Sequence, residues 1–311
     1  MKIIFATFLI YLFPIIVEAE DVILKTSTGE LYGTLAIPEE KGPHPVVLMI
    51  AGSGPTDRDG NTTVLPGKNN SHKMLAEALS GKGIASLRYD KRGIAESKPA
   101  GASEKDLRFD MYIEDAKAWA EFLKNDKRFN SLTIMGHSEG SLIGIVTAQS
   151  SADSYISVAG PSKSAIATIR AQLKKQLPSE MFKEADVGLK ELEQGKTVTQ
   201  YPDALKTIFR PSAQPYLISW NKFDPAKEIV KLKIPILIVQ GSTDIQVSVE
   251  EAKALHKVQS DSKLNIIDGM NHVFKLVELD QQKQIASYSD SSLSVAPEMI
   301  EVISNFILSS G

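Results

Sequence analysis

Ser138 lies in Gly136-His137-Ser138-Glu139-Gly140, a G-x-S-x-G pattern that suits a serine nucleophile on a sharp turn. A serine hydroxyl attacks a carbonyl only when a base takes its proton. His272, in Gly269-Met270-Asn271-His272-Val273, is the best candidate base. Asp244, in Gly241-Ser242-Thr243-Asp244, is the best candidate to fix the imidazole tautomer and stabilise its protonated form. Asp224 and Asp261 compete for that role, but neither follows a predicted strand. Among the other histidines, His44 reads as a loop residue and His256 as a helix-surface residue. His137 is expected to pack near the site without transferring a proton, and His72 is a candidate for the pocket mouth. Charge developing on the attacked carbonyl oxygen needs donors. The backbone N–H of Glu139 is one candidate, and that of Ser53, in Ala51-Gly52-Ser53-Gly54-Pro55, is the other.

These residues need elements to bring them together. Segments 23–26 and 31–36 read as an antiparallel hairpin around Thr28-Gly29. Segments 46–50, 84–89, 131–135, 155–158, 234–239 and 264–267 read as further strands, which makes eight. Helical patterns at 73–79, 107–124, 142–148 and 297–308 alternate with them, and this implies a mostly parallel sheet. Ser138, Asp244 and His272 each follow a strand, where such sheets place their sites. Residues 161–230 contain no convincing strand. Helices are predicted there at 166–177, 181–192 and 204–209, so the segment reads as a helical cap inserted into a core of residues 20–160 and 231–311. The competing arrangement packs these helices beneath the sheet, away from any ligand.

Composition narrows the function classes. The 311 residues carry 35 Lys+Arg against 38 Asp+Glu, a formal net charge of -3. That balance argues against a nucleic-acid partner. Cysteine is absent, which removes disulfides, thiolate zinc sites and a cysteine nucleophile. Gly52-Ser53-Gly54 lacks the G-K-[ST] ending of a phosphate cradle, and no dinucleotide fingerprint follows the first strand. The acidic spacing in the 57–61 loop does not fit a calcium loop, so no metal and no cofactor are expected. Lys2 precedes an uncharged run from 3 to 17, and Val17-Glu18-Ala19 offers a small-residue exit. Residues 1–19 therefore read as a signal peptide cut after Ala19, giving a secreted or periplasmic protein with no stable membrane span once mature.

Several stretches together resemble the α/β-hydrolase superfamily, and within it exported bacterial esterases related to serine aminopeptidase-like hydrolases. They are the run from Gly52 to Asn61, Tyr89-Asp90-Lys91-Arg92-Gly93, the Ser138 pentapeptide, Gly241 to Val247, and Asn271-His272-Val273-Phe274-Lys275. The likeness covers essentially the whole mature chain. It implies an α/β-hydrolase fold with a helical cap, a triad of Ser138, Asp244 and His272, and oxyanion donors at Ser53 and Glu139. It also implies a small-molecule ester substrate cleaved through an acyl-enzyme. Two departures stand out: Ala51 where relatives often carry histidine, and Ala95 where glycine is common. An aminopeptidase-like peptide hydrolase is the first rival, with Glu180, Glu184 and Glu191 as candidates to bind a free amine. A non-catalytic ligand-binding protein on a hydrolase scaffold is the second. The charged group Asp57, Arg58, Asp59, Asn61, Asp90 and Arg92 reads as an ion-pair network bracing long loops, with contact to a polar leaving group as the alternative.

Overall fold

Val46, Leu48 and Ile50 enter one apolar cluster, and Val47 and Met49 enter another. The unbroken apolar run of this segment follows, because a strand covered on both faces has no polar side to show. It belongs to an eight-stranded sheet in a computed structural model that describes residues 18–101 and 103–310. The predicted leader lies outside the described residues up to position 17.

In chain order the elements are β1 (Glu18–Thr26), β2 (Gly29–Ile37), β3 (His44–Ile50), α1 (Ser71–Ser80), β4 (Ala85–Tyr89) and α2 (Phe109–Lys124). Then come β5 (Phe129–His137), α3 (Glu139–Ser151), β6 (Ser154–Val158), α4 (Ala165–Gln176), α5 (Ser179–Glu193), α6 (Lys206–Phe209), α7 (Gln214–Trp220) and α8 (Pro225–Ile229). The chain closes with β7 (Ile236–Gly241), α9 (Val249–Val258), β8 (Lys263–Ile267), α10 (Gln281–Ser287) and α11 (Pro297–Ser310). Strand order is β1-β2-β4-β3-β5-β6-β7-β8. The β1–β2 and β2–β4 pairs are antiparallel, and every other pair is parallel.

Helices cover both faces of the sheet. Leu75 and Leu79 of α1 and Met299, Ile303 and Phe306 of α11 close one. On the other, α2 presents Phe109, Tyr112, Ile113, Ala116, Trp119, Ala120 and Leu123 at helical spacing, joined by Leu142 and Ile145 of α3 and Leu255 of α9. Residues between β6 and β7 build a separate apolar cluster around Ile166, Leu189, Leu192, Phe209 and Leu217. That cluster touches the rest through α7 on α2, where the Phe109 and Trp220 rings stack at 5.7 Å.

Several sequence expectations shift. Predicted helix 204–209 is a 3-10 turn (Asp203–Leu205) leading into α6. The strand predicted from 234 begins at Ile236, after Pro235, which has no N–H for the ladder. His44 is not a loop residue. It opens β3, is buried, and sets its Nε2 2.8 Å from the Glu40 carbonyl. Ala95 has φ 42°, a left-handed conformation that favours glycine.

The charged loop after β3 is cross-braced. Asp57 Oδ1 accepts from the Asp59 and Asn61 N–H groups at 2.9 and 2.8 Å. The Arg58 guanidinium reaches Asp90 at 3.0 Å and also meets Glu96. Arg88, which the sequence reading did not single out, binds Asp59 at 3.0 Å. Arg92 turns the other way and grips Asp115 of α2 through two nitrogens. Asp57, Arg58, Asp59 and Asp90 line a surface cavity that does not include Ser138. The bracing role therefore has geometric support, and contact with a leaving group does not. Arg58→Ala leaves the buried Asp90 carboxylate without its counter-ion and should cost about 3 kcal/mol. Thermal melting should show that loss, while the ratio of rates on different esters stays unchanged.

Candidate active site

Ser138 is the single residue between β5 and α3, and its backbone sits at φ 55°, ψ -119°. That conformation is strained for any residue with a Cβ and persists only where the surroundings enforce it. Two glycines allow the enforcement. A Cβ on Gly136 would lie 2.1 Å from the Gly140 carbonyl oxygen, and one on Gly140 would lie 2.3 Å from that of Ile50. The elbow thus packs backbone to backbone against the end of β3. The Ser138 N–H donates to the Val158 carbonyl at 2.9 Å, tying it to the neighbouring strand as well.

Asp244 follows β7, and its carboxylate is fully buried. His272 Nδ1 lies 2.8 Å from Asp244 Oδ2. Gln240 of β7 donates to that same oxygen at 3.1 Å, and the N–H groups of Gln246 and Val247 donate to Oδ1. Burial pushes the Asp244 pKa up, but the His272 charge and these hydrogen bonds outweigh it, so the net shift is downward. An ionised carboxylate on Nδ1–H leaves Nε2 as the free imidazole nitrogen.

His272 follows β8 on a loop fixed by Asn271. The Asn271 side-chain oxygen accepts from the Val273 and Lys275 N–H groups, and its amide donates to Ser287 Oγ at 2.8 Å. His137 Nε2 lies 3.0 Å from the His272 carbonyl oxygen, which pins that backbone from the elbow side. Ser138 and His272 line one cavity of about 250 Å3 with Ser53, Thr62, Leu65, Gln246 and Tyr288. A Cβ built on Gly52 would come within 3.2 Å of Ser138 Cβ, so the Ser53 loop lies directly against the serine. Among the described residues, the Ser53 and Glu139 N–H groups have no hydrogen-bond partner.

Residues 68–279 match the profile of the family described as serine aminopeptidase S33. The chain belongs to that family. Esterase EstD of Thermotoga maritima is 31% identical over 269 residues, which are 85% of this chain and 61% of that protein. The chain therefore spans less than two thirds of that relative's length. Among solved structures, Est1E from Butyrivibrio proteoclasticus superposes with a TM-score of 0.59 at 17% identity, covering 93% of this chain and 98% of its own. The α/β hydrolase GrgF from Penicillium sp. sh18 gives 0.62 at 17% identity, covering 94% and 99%. These two likenesses establish the α/β-hydrolase fold.

In this S33 family member, sequence reasoning missed Gln240, Asn271 and Tyr288 as parts of the site. Gln240 left a readable trace, since it interrupts the apolar run of β7. His72 does not line the cavity. It is buried in α1, between His137 at 5.3 Å and Phe274 at 5.5 Å. Burial, aided by the Arg88 charge, holds its pKa down to about 4, and burial also holds His137 well below 6.5. An unfolded chain takes up protons at these positions below pH 6.5, and the folded chain refuses them. Stability is therefore lost as pH falls from 6.5 towards 4, by about 3 kcal/mol for His72 alone. Urea titrations across that window should show the slope, and His72→Asn should make it shallower while leaving the His137 share.

Proposed function

We infer that the chain is a serine hydrolase that cleaves small carboxylic esters. Ser138 attacks the ester carbonyl while His272 takes its proton, and Asp244 stabilises the imidazolium that results. The Ser53 and Glu139 N–H groups receive the oxyanion. Collapse of the tetrahedral intermediate expels the alcohol, which takes the proton from His272. Water, activated by the same imidazole, then releases the acid from the acyl-enzyme. One observation carries this reading: a strained serine and a carboxylate-held histidine face the same small cavity. The similarity to Esterase EstD supports the choice of ester.

Cavity composition bears on the peptidase rival. An aminopeptidase needs a carboxylate to hold the free ammonium of its substrate. Among the described residues, none that line the Ser138 cavity is acidic. Glu180 is exposed and pairs with Lys183, and Glu191 pairs with Lys196. Those two and Glu184 are all outside the cavity lining. A volume of about 250 Å3 also suits a short acyl group better than a peptide.

Residues 161–230 act as a helical cap in this reading, anchored through α7 on α2, although none of them lines the Ser138 cavity. The basic and apolar start of the chain supports export. No helix among the described residues is long and apolar enough to cross a membrane. Periplasmic or medium-derived protein should begin at Glu20 on N-terminal sequencing. An intact Met1 on exported, active protein would reject the cut.

A fluorophosphonate probe should label the intact protein on Ser138, as read by peptide mass. Ser138→Ala should abolish labelling and lower kcat on short acyl esters about a millionfold at unchanged Tm. Equal ester rates for the two proteins would end the assignment.

A further inference from the structure

Lys91, on the segment after β4, is 2% exposed in its side chain, and Glu139 is 3% exposed. Lys91 Nζ lies 2.8 Å from Glu139 Oε1 and donates to the Gly52 carbonyl at 2.6 Å. The Tyr112 ring flanks the ammonium at 5.1 Å, and the buried hydroxyl of Tyr216 from α7 lies beside Glu139. Burying an ion pair this completely adds little to stability, because desolvation offsets the attraction. Its two attachments indicate a different use.

Gly52 O belongs to the peptide unit whose other end is the Ser53 N–H. In a trans peptide the carbonyl and the N–H point in opposite directions. A cation on the Gly52 oxygen therefore turns the Ser53 N–H away from itself, and Gly52 and Ser53 both line the Ser138 cavity. The same cation holds the side chain of Glu139, whose backbone N–H is the second donor. We propose that Lys91 is a positioning residue that sets both oxyanion donors at once. Its bond to the carbonyl also polarises the Gly52–Ser53 amide and strengthens that N–H as a donor. Because the Glu139 charge cancels that of Lys91 locally, the effect is aim and polarisation rather than net positive charge. The inference rests on the acyl-transfer reading of Ser138.

The test uses Lys91→Met and the double variant Lys91→Met/Glu139→Gln, which leaves no unpaired charge in the interior. With native circular dichroism, kcat on a short p-nitrophenyl ester should fall about a hundredfold or more. KM should stay within about threefold. A trifluoromethyl ketone forms a serine adduct that carries the oxyanion, so its Ki should rise by the factor by which kcat/KM falls. A parent enzyme without esterase activity, or a Ser138→Ala variant at the parent rate, removes the acyl-transfer reading itself. A Ser138-dependent parent with a folded double variant at parental kcat and Ki removes only the role of Lys91. That role also falls if kcat drops at constant Ki, or if KM alone rises. A double variant that cannot fold assigns the pair to stability instead.

Discussion

The left-handed backbone at Ser138 is the constraint to which the other features of the site answer. A strand that passed straight into a helix would bury the serine in the sheet edge. The sharp turn lifts it out, and the strain of that turn has to be held by contacts elsewhere. Gly136 provides them by letting the end of β5 meet the start of α3, and Gly140 by letting the elbow meet the end of β3 at backbone distance. That contact sets Ser138 against the start of the 51–70 loop, so the proposed nucleophile and the proposed loop donor are placed by one packing decision. The helix opening at Glu139 adds its N-terminal partial charge at the same place.

The carboxylate–imidazole pair solves a different problem. An aspartate whose side chain is fully buried would be driven to its neutral form by burial alone. The His272 charge, with the hydrogen bonds from His272 and from the Val247 and Gln246 N–H groups, reverses the direction of that shift. Gln240 shows how the sheet itself takes part, since one inward polar side chain on β7 is enough to reach the loop above it.

Local signals revealed the sheet and the residues gathered around Ser138, because strands buried on both faces leave long apolar runs and the elbow leaves its glycines. All eight strands follow from such runs or from the Thr28-Gly29 hairpin. What escaped depends on long-range contact. α7 and α8 are seven and five residues long, too short to show a helical stripe, and α7 owes its place to aromatic packing on Phe109 and Tyr112. Tyr288 reaches the cavity through long-range contacts, since Asn271 binds its neighbour Ser287 across 16 positions of sequence and Gln246 binds its hydroxyl across 42. His44 looked like a loop residue because Pro43 and Pro45 flank it, yet its N–H pairs with the Arg128 carbonyl at the edge of the ladder. The wall of the Ser138 cavity likewise draws on the long loop after β3 and the segment after α10 rather than on the large helical insertion.

Consecutive residues Lys91 and Arg92 show how cation type follows task. Both are buried, and both face a carboxylate. Arg92 meets Asp115 with two nitrogens of its planar fork, a geometry that fixes α2 against the end of β4 and suits a purely structural brace. Lys91 has to satisfy a carbonyl and a carboxylate lying in different directions, and a compact ammonium with three rotatable donors does this where a planar fork would not. From the segment after β4, Arg92 reaches Asp115 of α2 and Lys91 reaches the Gly52 carbonyl of the loop beside Ser138. A single exchange of lysine for arginine at position 91 keeps the charge and loses that angular freedom, so charge conservation alone does not preserve the contact with Gly52.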